Sequence, residues 1–270
     1  MTLYTCECNK TKEVINKIHN ENCLDTMSRM SDNFIDLTVT SPPYDNLRTY
    51  NGYSFDFESI AKELYRVTKE GGVVVWIVGD ATIKGSESGN SFRQALYFME
   101  CGFDLNDTMI WNKGSFSAVG ALKVRYAPVF EYMFILSKGK SKSFNPIKDR
   151  KNKWAGEKRK HVMFRQSDGT IKKTSGSEIK EFGQRFNIWD IPPAKNRDIK
   201  HPAPFPEQLA NDHIISWSNE GDLVYDCFMG SGTTAKMSAV NKRNYIGSEM
   251  SEEYCEIIKE RLNKQQKELF

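Results

Sequence analysis

Two stretches carry residue types whose spacing could do chemistry, and they lie far apart in the chain. The first is Thr40-Ser41-Pro42-Pro43-Tyr44. Each proline fixes its own φ and has no N–H, so two in succession force a stiff path and leave carbonyls without competing donors. A hydroxyl, those carbonyls and an aromatic ring form a compact grip for a flat group bearing an NH2. Taken alone, the stretch reads equally well as a proline-rich loop with a packing tyrosine. The second is Asp226-Cys227-Phe228-Met229-Gly230-Ser231-Gly232-Thr233-Thr234. Its glycines permit a tight turn and a close approach of ligand to backbone, beside a helix N-terminus.

The ligand of that turn is narrowed by its neighbours. A P-loop needs Lys before Ser/Thr, and here Thr233-Thr234 follow Gly232 directly, which argues against an NTPase. The dinucleotide fingerprint G-x-G-x-x-G has Ala235 in its third glycine place, a tolerated replacement, so the glycines alone decide little. Two acids say more. Glu249 follows Gly230 by 19 residues, at the end of the next predicted strand, where a carboxylate would meet ribose hydroxyls. Asp226 stands at the mouth of the turn, where its charge would repel a pyrophosphate but not an ammonium or sulfonium. The pair favours S-adenosylmethionine over NAD; the plainer alternative is a purely structural turn.

These stretches need elements to hold them. Residues 34–40 alternate and are β-branched enough to predict a buried strand ending on the first stretch. Phe57, Ile60, Ala61, Leu64 and Val67 recur at helical spacing, with Ser54 or Asp56 as cap and Gly71-Gly72 as stop. Residues 73–78 form a continuous apolar run, as in a strand buried on both faces, closed by Gly79-Asp80. A helix over 91–101, strands over 105–111 and 129–136, and a helix over 207–217 follow. A strand over 223–226, a helix from Gly232, a strand over 245–249 and an amphipathic helix over 251–269 complete the series. Val14, Ile15 and Ile18 give a short helical pattern near the N-terminus, and 22–27 reads as a short lead into the first strand. Alternating strands and helices predict an α/β fold with a doubly wound, mostly parallel sheet, whose carboxyl edge is where ligands bind.

At 270 residues and 39% hydrophobic, the chain can bury a full core. No apolar run approaches the roughly 20 residues of a membrane span, and residues 1–6 lack the basic-then-apolar signal-peptide pattern. Six scattered cysteines (6, 8, 23, 101, 227 and 255) predict a reducing cytoplasm. Cys6, Cys8, His19 and Cys23 match no standard zinc spacing, so no metal is expected. The net charge of +3 hides an asymmetry: residues 138–185 hold 15 Lys/Arg against 5 Asp/Glu, leaving 23 against 30 elsewhere. A mildly acidic body with one basic segment is the pattern of a polyanion-binding insert, a solvated surface loop being the alternative. Phe144, Trp154, Phe164 and Phe182 show no period there, which predicts a semi-independent insert.

With both stretches in hand, the chain resembles the DNA amino-methyltransferases, which methylate the exocyclic nitrogen of cytosine or adenine. Ser41-Pro42-Pro43-Tyr44 is similar to the family's catalytic [Asp/Asn/Ser]-Pro-Pro-[Tyr/Phe]. Asp226 to Thr234 is similar to its cofactor motif Asp-Pro-Phe-x-Gly-Ser-Gly-Thr-Thr, with Cys227 in place of the proline. Catalytic motif first, cofactor motif second and a basic segment between them is the β-class order, in which the insert is the target-recognition region. The run 66–72 and the run His201 to Pro206 also resemble family segments, the latter leading into the helix beside the cofactor. Asn22 replaces the usual acid of a Gly-Asp pair near the adenine ring.

The resemblance implies a Rossmann-like, seven-stranded methyltransferase domain in two parts, 1–137 catalytic and 187–270 binding S-adenosyl-L-methionine, interrupted by the insert 138–186. It assigns catalysis to Ser41, Pro42, Pro43 and Tyr44. It assigns the cofactor to Asn22, Pro204, Phe205, Asp226, Phe228, Gly230, Ser231, Gly232, Thr233, Thr234 and Glu249. Phosphate contacts fall to Lys148, Arg150, Lys151, Lys153, Lys158, Arg159, Lys160 and Arg165. The implied partner is double-stranded DNA, with a cognate restriction endonuclease as an option, no membrane, and a monomer or homodimer. The Ser41 hydroxyl and Pro42 carbonyl would surround the NH2, Tyr44 would stack on the flipped base, and no covalent intermediate is needed. C5-cytosine chemistry needs a Pro-Cys nucleophile, and no cysteine here follows a proline. Serine at the first motif position leans toward cytosine N4, with adenine N6 as the alternative. Methylation of RNA or of a protein amide, and a non-catalytic DNA-binding module, are the remaining readings.

Overall fold

The computed structural model describes residues 14–43, 55–115, 125–194 and 206–268. Among them the elements run, in chain order, β1 (Lys17–His19), α1 (Cys23–Ser28), β2 (Ile35–Thr40), α2 (Phe57–Val67) and β3 (Thr68–Val78). The hairpin β4 (Thr82–Ile83) and β5 (Ser86–Glu87) leads to α3 (Asn90–Glu100), β6 (Asp104–Asn112) and β7 (Phe130–Ser137). Then come β8 (Arg150–Lys151), β9 (His161–Arg165), β10 (Ile171–Ser175), β11 (Phe182–Gly183) and β12 (Ile188–Asp190). The chain closes with α4 (Glu207–Trp217), β13 (Leu223–Asp226), α5 (Thr233–Val240), β14 (Asn244–Ser248) and α6 (Glu252–Glu268).

One sheet orders eight strands as β1-β14-β13-β2-β3-β7-β6-β12. Only β7 runs against its neighbours, β3 and β6; the other adjacent pairs are parallel. The alternation of β3 explains the two-sided burial. Val74, Trp76 and Val78 face α2 and α3 through Leu64 and Phe98, while Val73, Val75 and Ile77 face α4 through Leu209 and Ile214. Trp76 is fully buried because its Nε1 donates to Gln94 Oε1 of α3 at 2.8 Å, which satisfies its polar atom. Asp56 caps α2 by accepting from Ser59 N, as its position predicts.

Four expectations need correcting. The sheet has eight strands rather than seven, because Ile188–Asp190 adds a parallel edge strand to β6. The Val14–Ile18 pattern is not a helix: a turn feeds β1, whose backbone pairs with β14. Residues 23–28 form a helix rather than a plain lead. Gly71-Gly72 lie inside β3 rather than ending α2, which stops at Val67. The β2–β3 register slips there, from Ile35↔Thr68 to Leu37↔Val73, and a Cβ on Gly72 would sit 2.9 Å from Lys69 O.

The chain divides into two compact units, Met1–Asn145 together with Ile188–Phe270, and Pro146–Asn187. The basic segment thus starts eight residues later than its charge suggests. Lys138 is buried in the larger unit, where its ammonium donates to Asn33 Oδ1, Tyr65 O and Thr68 O at 2.9–3.1 Å. Asn145 is tied to Ser216 O, Ile215 O and Ser218 O at the end of α4.

The smaller unit is an antiparallel ribbon. β8 pairs with β11 and β9 with β10, and bonds such as Gly156 N to Ile179 O (2.9 Å) and Gly176 N to Lys160 O (3.2 Å) join the two pairs. Its turn is set by Asp168, whose Oδ1 accepts from Thr170 N and Oγ1, with Gly169 at φ +84°. Met163, Phe164 and Ile171 stand 71%, 54% and 63% exposed, so neither face is a core face. That is why the segment shows no apolar period in sequence.

Candidate active site

The sheet order reverses between β2 and β13, which are adjacent and parallel, so both motifs leave the sheet side by side at one carboxyl edge. The registered ladder between them ends at Tyr225↔Thr38. Beyond it, Thr40 Oγ1 donates to Asp226 Oδ1 at 2.6 Å, and Thr234 Oγ1 donates to Asp226 Oδ2 at 2.7 Å. Phe228 N donates to Asp226 Oδ1 at 3.0 Å. Asp226, 5% exposed, is therefore a hub joining the strand end before Ser41, the glycine turn and the first turn of α5. Burial pushes its carboxyl above the ordinary range, against the pull of the Thr40, Thr234 and Phe228 hydrogen bonds.

The turn's own N–H groups are mostly spent. Phe228 N goes to Asp226, Met229 N to Ser248 O (2.9 Å), Gly230 N to Glu249 Oε2 (2.7 Å) and Gly232 N to Met229 O (2.9 Å). A phosphate cradle needs such groups aimed outward. This turn instead has two carboxylates folded onto it. Glu249 also accepts from Ser251 N at 2.9 Å, and burial raises its carboxyl, with Asp226 adding to the rise. A carboxylate oxygen has more than one lone pair, so Glu249 retains acceptor capacity for hydroxyls. Gly232 sits at φ +81°, and a Cβ there would meet Ile258 at 2.7 Å, so both conformation and space demand glycine.

Behind the turn, Arg261 of α6 donates to Ser231 O, to Ser231 Oγ (3.1 Å) and to Thr233 Oγ1 (3.4 Å). Its other nitrogen reaches Glu207 Oε1 at 2.8 Å, which Lys236 Nζ shares at 2.7 Å. Sequence reasoning missed Arg261, Lys236 and Glu207. The one available signal was Arg261's place three residues after Ile258, on the apolar side of its helix.

The other expected residues distribute unevenly. Pro42 is buried, and Ser41 and Pro43 are half-buried, directly after Thr40. Tyr44, Pro204 and Phe205 lie outside the described residues. Phe228 is half-buried and packs edge-on against Phe55, with ring centroids 5.7 Å apart. Asn22 serves as the N-cap of α1, its Oδ1 accepting from Leu24 N at 2.9 Å. In the ribbon, Lys148, Lys151, Lys153, Lys158, Arg159, Lys160 and Arg165 are exposed. Arg150 differs: its Nε donates to Gln184 O at 3.0 Å and its guanidinium lies 4.5 Å from the Phe186 ring centre. Burial pushes the Cys23 thiol up to about 12 and Cys227 well above its ordinary value, so neither is a ready nucleophile.

Comparison with known proteins gives the family. A family model described as DNA methylase, for the N6/N4 enzymes, matches residues 35–260. The chain belongs to this family of DNA methylases. It is 62% identical over 237 residues to the orphan methyltransferase M.BamHII of Bacillus amyloliquefaciens, covering 84% of this chain and 88% of that one. It is 28% identical to the type II methyltransferase M.MthZI of Methanothermobacter thermautotrophicus, covering 92% of this chain and 76% of that one. Among solved structures, the PvuII DNA methyltransferase (cytosine-N4-specific) has the same fold, with a TM-score of 0.67 at 20% identity over 93% of this chain and 90% of that one. So does a Thermus thermophilus DNA modification methylase, described as putative and complexed with S-adenosyl-L-methionine, with a TM-score of 0.61 at 22% identity over 92% and 95%. Family membership bears out an S-adenosylmethionine-dependent amino-methyltransferase of DNA, and the α/β fold expected for it. Among the described residues, no helix is long and apolar enough to cross a membrane.

Proposed function

We propose that this DNA methylase moves the methyl group of S-adenosylmethionine onto cytosine N4 of a base flipped out of duplex DNA, with adenine N6 as the second reading. The observation that carries it is the Thr40–Asp226 bond, because it joins a Pro-Pro-aromatic loop to a glycine turn unsuited to phosphate. Two carboxyls raised by burial make the turn receptive to a cationic ligand, since a sulfonium or ammonium nearby favours their ionised forms. Glu249 and the half-buried Phe228 are the candidates for the ribose and the adenine surroundings. Asn22, whose Oδ1 caps α1, is the further candidate for the adenine contact.

An exocyclic amine is a poor nucleophile because its lone pair is delocalised into the ring. Acceptors at the NH2, for which Ser41 and the Pro42 carbonyl are the candidates, favour a pyramidal nitrogen whose lone pair faces the methyl. Attack then displaces the thioether in line, and the amine's surplus proton leaves toward those acceptors or water. An NH2 inside a duplex cannot reach such a site, so flipping is required, at a cost of a few kcal/mol. The exposed lysines and arginines of the ribbon are suited to the phosphate contacts that offset it, and a two-stranded ribbon fits the width of the major groove. Serine at position 41 favours cytosine.

Incubation of the purified protein with methyl-labelled cofactor and duplex DNA, followed by nucleoside analysis, tests the reading. N4-methylcytosine is expected; N6-methyladenine selects the second reading, and transfer only to RNA or protein, or none, overturns both. Tyr44→Ala should abolish transfer while cofactor binding by calorimetry persists, and normal turnover would remove the stacking role.

A further inference from the structure

We infer that Thr40 is a positioning residue for methyl transfer: its hydroxyl sets the acceptor loop against the donor turn. The inference rests on reading Ser41–Tyr44 and Asp226–Thr234 as the two halves of the active site.

The geometry is specific. The registered pairing of β2 with β13 stops at Tyr225↔Thr38, where neighbouring strands part and the crevice of an open α/β sheet begins. From there on, the spacing of the two motifs depends on side chains. Thr40 Oγ1 donates to Asp226 Oδ1 at 2.6 Å and accepts from Cys227 Sγ at 3.6 Å. Thr234 Oγ1, which donates to the other Asp226 oxygen, lies 3.4 Å from Val39 O. Thr40, Thr234 and Asp226 are 1%, 2% and 5% exposed, so water cannot replace a bond that is removed. Thr40 is the residue immediately before Ser41, and a change in its position passes directly into Ser41 and the two stiff prolines after it. The turn half is anchored separately by Glu249 and Arg261, so losing the Thr40 bond shifts the acceptor half relative to the donor half rather than dismantling the cofactor turn.

In-line displacement is sensitive to such a shift, since misplacement by about 1 Å costs on the order of a hundredfold in rate. Thr40→Val keeps the shape and deletes the hydroxyl; Thr40→Ser keeps the hydroxyl and deletes the methyl. With both substrates saturating, Thr40→Val should lower kcat roughly ten- to hundredfold while the calorimetric Kd for S-adenosylmethionine moves less than about threefold. Thr40→Ser should retain most of the parent kcat. Should Thr40→Val fail to fold, as judged by thermal melting, Thr40→Ala takes its place in the same comparison. Parent-like kcat in Thr40→Val overturns the inference. So does a loss of cofactor affinity that accounts for the whole defect, or a Thr40→Ser variant as impaired as Thr40→Val. A parent chain that transfers no methyl overturns the underlying reading as well, so the two failures are distinguishable.

Discussion

Asp226 changes character between sequence and structure. In the chain it is an acid at the mouth of a glycine turn, available to a cation; in the fold its oxygens already accept from Thr40, Thr234 and Phe228. Beyond its charge, it therefore also sets the position of the turn. Glu207 works similarly at one remove. Burial raises its carboxyl, but Lys236 and Arg261 outweigh that and hold it below its ordinary value of 4.5. A carboxyl lowered on folding adds stability above its unfolded pKa and loses it as pH falls through the folded value. Glu207→Gln should thus cost up to about 1 kcal/mol at neutral pH, a figure discounted for partial exposure. The gap to the parent in urea unfolding should close in acid below the ordinary value; a constant gap across pH would show that the charge is not what matters.

At the scale of elements, most strands and helices were readable because their burial leaves a period: α2 and α4 span the residues their apolar spacing marks, although the glycine stop expected after α2 lies inside β3. The glycine turn was readable for a different reason, since few residue types tolerate its backbone. Gly232→Ala should destabilise the fold by about 2 kcal/mol or more, from the left-handed conformation plus the Ile258 clash, and should weaken cofactor binding. Chemical denaturation and calorimetry on one preparation would measure both, and an unchanged midpoint would refute the packing role. The edge strand β12 and the ribbon were not readable. An edge strand of three residues, with only Trp189 buried, is too short to show a period, and a ribbon exposed on both faces has no core side to write a pattern.

For the whole molecule, charge is divided along the unit boundary, the excess of Lys/Arg lying in Pro146–Asn187 and the acidic balance in the rest. Replacing Lys148, Lys151, Lys153, Lys158 and Lys160 by Gln should weaken DNA binding at every sequence. It should also flatten the dependence of log K on log salt, by about 0.9 for each phosphate that is no longer neutralised. An unchanged slope would place the DNA elsewhere. Arg150, engaged with Gln184 and Phe186, should contribute through the ribbon's integrity more than through phosphate.

By itself the sequence determined the family chemistry, because a Pro-Pro-aromatic loop, a glycine turn and a basic insert each need residue types that few other residues can replace. It also determined the order of the main elements, through the periods that burial imposes. Only the tertiary structure decided how the two motifs meet. Thr40 and Asp226 are 186 residues apart in sequence, and their contact follows from β2 and β13 being neighbours at the reversal of the sheet. It likewise decided that Arg261 and Glu207 brace the turn and that Lys138 belongs to the core rather than to the basic insert. Such assignments depend on which polar atoms burial leaves within reach of one another. No local pattern of residues contains that information.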